Sequence, residues 1–132
     1  MKRTRSGILF AVLSLFGMAV PMFAHHSISA EFDPKKEYTI AGVLKGVEWS
    51  NPHIVTYIDV KDNKTGKVDT WSFQGNGPAA YHRAGIYKED WKVGQAVTVT
   101  YIAAKDGTKH LGFLKMMKYS DGLALVFRVG GE

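Results

Sequence analysis

Five histidines and no cysteine set the chemistry open to this 132-residue chain. Thiolate is unavailable as nucleophile or metal ligand, which leaves imidazole, carboxylate, thioether and a free α-amine. Two stretches concentrate these groups: Ala24-His25-His26-Ser27, and the corner Glu48-Trp49-Ser50-Asn51-Pro52-His53. If the mature chain starts at His25, its α-amine and the Nδ1 of the same histidine form a bidentate chelate, and one further imidazole completes a three-nitrogen brace suited to copper by ligand type. His53 is the natural third ligand. A second arrangement uses the amine, the His26 amide and the His26 imidazole. Processing one residue earlier would give Ala24-His25-His26, a histidine-third end that chelates copper(II) or nickel(II). The candidate metal residues are therefore His25, His26 and His53. The alternative is a structural His53 bonded within its own corner, with an N-terminal pair that any metal solution would load.

The processing expectation rests on the first 24 residues. Lys2, Arg3 and Arg5 precede the apolar run Ile8 to Val20, and Pro21-Met22-Phe23-Ala24 ends on a small residue. That order is a secretory signal peptide, with an apolar run too short for a comfortable membrane span. A periplasmic or secreted protein is expected, cleaved after Ala24. Its removal lowers the formal charge from +5 to +2, too little to argue for nucleic acid as a partner. Without disulfides, about 108 residues must be held by an ordinary apolar core.

Several elements must position these groups. Residues 25–37 read as a polar N-terminal arm, with Asp33-Pro34 as its turn, and residues 38–132 as the domain. Tyr38 to Trp49 predicts a first strand bent at Gly42 and Gly46. Asn51-Pro52 ends it. His53 to Asp62 alternates, with Ile54, Thr56, Ile58 and Val60 on the expected core face and His53, Val55, Tyr57 and Asp59 on the other. Val68 to Gln74 predicts a third strand; Pro78 opens a short helix to Ala84, and Lys88 to Trp91 adds a turn. Gln95 to Ala103, Lys109 to Tyr119 and Leu123 to Val129 follow as strands four to six. An all-β chain of five to six antiparallel strands, with a helix between the third and fourth, is the order of a small OB-fold-like β-barrel; an open sandwich is the rival.

Trp49, Tyr57 and Trp71 form a possible ligand face for stacking, although aromatics at alternate strand positions are more often core. His82 and His110 read as surface residues, and Met116-Met117 points to both faces of one strand. Gly75-Asn76-Gly77 lacks the lysine and spacing of a phosphate loop, and neither a nucleophile elbow nor a catalytic carboxylate pair is present. Two functional classes stay open. One is a non-catalytic copper-type carrier or accessory protein. The other is a binding module for a peptide, glycan or exported protein partner with structural histidines. A copper enzyme would further need an open coordination position in a shaped pocket.

His25-His26-Ser27, Glu31-Phe32-Asp33, Gly42-Val43-Leu44, Trp49-Ser50-Asn51-Pro52-His53, Trp71, Gly77-Pro78 and Gly94 through Val99 together resemble a family of short exported bacterial proteins of unknown function. The resemblance spans nearly all of the expected mature chain. It implies a periplasmic small β-barrel and no assigned reaction. Leu123 to Val129 departs from it, being more apolar than a simple tail requires.

Overall fold

The computed structural model describes residues 27–129. The chain runs α1 (Ile28–Glu31), β1 (Phe32–Glu48), β2 (Val55–Lys61), β3 (Val68–Gln74), α2 (Pro78–Arg83), a 3-10 turn at Lys88–Asp90, β4 (Ala96–Ala104), β5 (Leu111–Tyr119) and β6 (Ala124–Val126). The strands form one sheet in the order β3-β2-β1-β4-β5-β6, and a parallel pairing of β3 with β5, Ser72 opposite Leu111 through Gln74 opposite Phe113, closes it. Five strands make the closed barrel and β6 is the extra one, which is the OB-like architecture expected from the strand order.

β1 does what its glycines predicted. Its second half pairs with β2 and its first with β4, and the register shifts between Leu44 and Gly46, so one coiled strand serves both sides of the barrel. It also begins at Phe32 rather than Tyr38. Phe32 is 2% exposed and packs its ring 5.7 Å from that of Phe113. Burying that side chain, a gain of about 1.5–3 kcal/mol, draws the polar stretch into the sheet. The Asp33-Pro34 turn signal is absorbed as an irregularity between the Phe32 and Glu37 pairings, with Asp33 accepting from the Lys35 amide at 3.1 Å.

The apolar residues divide into two clusters. Leu44, Ile54, Ile58, Phe73, Val99, Leu114 and Met117 fill the barrel, while Phe32, Ile102, Ala104 and Phe113 form a second group outside it that Ile28 and Leu111 cover. Ile54, Thr56 and Ile58 are buried as the alternation required, and Thr56, a polar residue 1% exposed, is satisfied by the Trp91 indole N–H at 2.9 Å. β6 resolves the question posed by its apolar sequence. Leu125 and Phe127 are buried in the interior cluster while Val126 between them is 63% exposed, the period-2 signature of a strand with one covered face.

Candidate functional site

The Asn-Pro-His corner is held by the segment after β3. Ile54 N–H donates to the Asn76 carbonyl at 3.2 Å, Gly75 N–H to the Ile54 carbonyl at 2.8 Å, and Asn51-Pro52 is a cis peptide. Two glycines make that approach possible. A methyl at Gly77 would stand 2.9 Å from the Pro52 carbonyl oxygen, and one at Gly75 would overlap the Tyr81 hydroxyl. Gly75-Asn76-Gly77 is thus a cradle for the corner before Pro78 starts α2, a role its composition did not reveal.

His53 is half-buried at this junction, and its Nδ1 lies 3.0 Å from the Gly75 carbonyl oxygen. A carbonyl can only accept, so Nδ1 carries the proton and a neutral ring presents its lone pair at Nε2. That is also the usual arrangement of a metal-ligating histidine, whose second nitrogen donates to a backbone carbonyl. His25 and His26, together with the expected leader of residues 1–24, lie outside the described residues. Among the described residues, no group of three histidine or carboxylate side chains stands close enough to hold a metal.

The aromatic residues do not assemble as one face. Trp49 packs beside α2, its ring 5.2 Å from Trp91, 5.8 Å from His82 and 6.0 Å from Tyr81. Trp71 lies near the β4–β5 loop, 4.8 Å from the His110 ring and 5.8 Å from Tyr101. Tyr57 is opposite Ser72 in the ladder whereas Trp71 is opposite Ile58, so Tyr57 and Trp71 point to opposite faces of the sheet. The Tyr57 hydroxyl donates to Glu48 at 3.2 Å. His82 is exposed but stacks on Tyr87, and His110 adopts a left-handed backbone with φ of 59°. Met117 is core and Met116 half-buried.

Behind the corner, Tyr81 is 2% exposed and forms a three-ring cluster with Trp91 at 5.8 Å and Phe127 at 4.9 Å, which are 5.7 Å from each other. Its hydroxyl has no hydrogen-bond partner among the described residues. Burial raises its pKa; the Asn76 amide opposes that shift, but its approach falls short of hydrogen-bond geometry. A stacked, unprovided tyrosine against a glycine cradle carries no sequence signal, because the contact joins positions 75 and 81 through the tertiary fold.

No curated protein and no solved structure matches the chain. Residues 12–113 match the model of a family of unknown function (DUF6152), and the chain belongs to that family.

Proposed function

We propose that this is an exported, periplasmic, non-catalytic metal-binding protein, a copper-type carrier or accessory, that uses the mature N-terminal amine with His25 or His26 and the Nε2 of His53. The observation that carries the reading is the His53 ring, oriented by the Gly75 carbonyl at 3.0 Å with Nε2 left for a ligand.

The course of the arm supports it. Ile28 covers the outer cluster around Phe113; Phe113 pairs with Gln74, and Gln74 with Val55, two residues beyond His53. Neighbouring strands are about 4.8 Å apart, so this row is roughly 10 Å wide. The three residues from Ile28 back to His25 span about 10 Å when extended. On this reading the arm beyond Ile28 runs along that row toward the corner that carries His53. The imidazole set favours copper over hard cations, which prefer oxygen ligands.

The test is a copper(II) titration of the processed protein read by electron paramagnetic resonance, beside a form carrying one extra N-terminal residue and a His53→Ala variant. One tight equivalent is expected, lost on extension and weakened at least about tenfold by His53→Ala, equivalent to about 1.4 kcal/mol. Binding indifferent to both changes would overturn the reading.

A further inference from the structure

Both arginines of the described residues, Arg83 at the end of α2 and Arg128 after β6, line one groove of about 510 Å3 between these two elements. Tyr81 and Phe127, 4.9 Å apart, form its apolar floor, and the described residues that line it include no aspartate or glutamate. Elsewhere carboxylates are met by lysines: Lys45 with Asp59, Lys67 with Asp69, Lys92 with Asp121 and Lys115 with Glu37. Among the described residues neither arginine pairs with a carboxylate, although both guanidinium forks suit one.

The wall opposite α2 is a strand edge. Tyr119 N–H donates to Leu123 and Phe127 N–H to Lys115, each at 2.8 Å, so 123, 125 and 127 face β5. Ala124, Val126 and Arg128 therefore turn their N–H and C=O groups away from it. The Arg128 carbonyl is taken by the Asn76 side-chain amide at 2.9 Å, which places this edge on the groove. Ala124 and Val126 have no partner on that side among the described residues, and Val126 is 63% exposed. An unpaired edge is a template for an added strand.

We propose that this groove binds an extended, carboxylate-bearing peptide segment of another protein, its backbone pairing with Ala124 and Val126 and a carboxylate lying between Arg83 and Arg128. Charge complementarity selects the acidic partner, and the edge selects the extended conformation. This site lies outside the proposed metal ligands and does not depend on them.

The probe is acetyl-Val-Glu-Val-Glu-Val-Glu, titrated into isotope-labelled protein, with the lysine counterpart and a version N-methylated at alternate amides as comparisons. The glutamate peptide is expected to shift the Ala124 and Val126 amides, and the other two to bind at least about tenfold more weakly. Arg83→Gln and Arg128→Gln, both at exposed positions, should each weaken binding about threefold to tenfold, as for a partly solvated charge-assisted pair. No binding, equal binding of the glutamate and lysine peptides, shifts that bypass Ala124 and Val126, or an Arg83→Gln/Arg128→Gln double variant that binds like the parent would each overturn the proposal.

Discussion

Gly75→Ala tests the cradle behind His53 directly. The new methyl would overlap the Tyr81 hydroxyl, stand 2.9 Å from Tyr81 Cζ and lie 3.6 Å from the Ile54 carbonyl oxygen. Neither side can give way easily. Tyr81 is buried against Trp91 and Phe127, while the Gly75 N–H and C=O are engaged by Ile54 and His53. Overpacking of this kind costs about 1–3 kcal/mol, against which the lost chain entropy of glycine returns about 0.4–1. Tyr81→Phe should act the other way. It removes a buried hydroxyl without a partner, whose desolvation penalty is about 1–3 kcal/mol, and so should raise stability by roughly 1 kcal/mol. In the double variant the methyl occupies space the hydroxyl vacated, and the two changes should couple by about 1–2 kcal/mol, within the range for residues in contact. Urea unfolding followed by tryptophan fluorescence measures all three, with an unchanged denaturant slope certifying that the midpoints report stability. Additive effects, or a Tyr81→Phe variant less stable than the parent by more than about 1 kcal/mol, would show that the hydroxyl is satisfied in solution and that Gly75 is not held to its size by Tyr81.

Two further outcomes follow from the same interior. Burial raises the pKa of Tyr81, Tyr101 and Tyr119, so the folded state holds these protons more tightly than the unfolded chain. Their contribution is intact below the ordinary tyrosine value near pH 10 and is lost as pH rises beyond it. Thermal unfolding should therefore show a falling Tm above about pH 10, with a shallower fall in Tyr81→Phe. Trp91→Phe strips the indole donor from the buried Thr56 hydroxyl and should cost about 1–3 kcal/mol, part of which Thr56→Val in the same background recovers; equal stability of Trp91→Phe and its parent would refute that pairing.

The sequence by itself determined the strand order, the helix after β3 and the inward face of β2, because these rest on periodicities and turn residues that act over a few positions. Val68–Gln74 stands as the third strand with the expected ends, and Ile54, Thr56 and Ile58 are buried as alternation demanded. It also singled out His53 and the corner that carries it, since a histidine after Asn-Pro is a local pattern. Local patterns stopped short at Phe32, where a turn signal yielded to burial against Phe113 in a strand far along the chain. Tertiary structure alone decided that Gly75 orients the His53 ring, that Trp49 and Trp71 pack against different aromatic neighbours, and that two arginines 45 positions apart line one groove. Each joins residues that closure of the barrel brings together, and a one-dimensional chain records what each residue can do but not which distant residue it will meet.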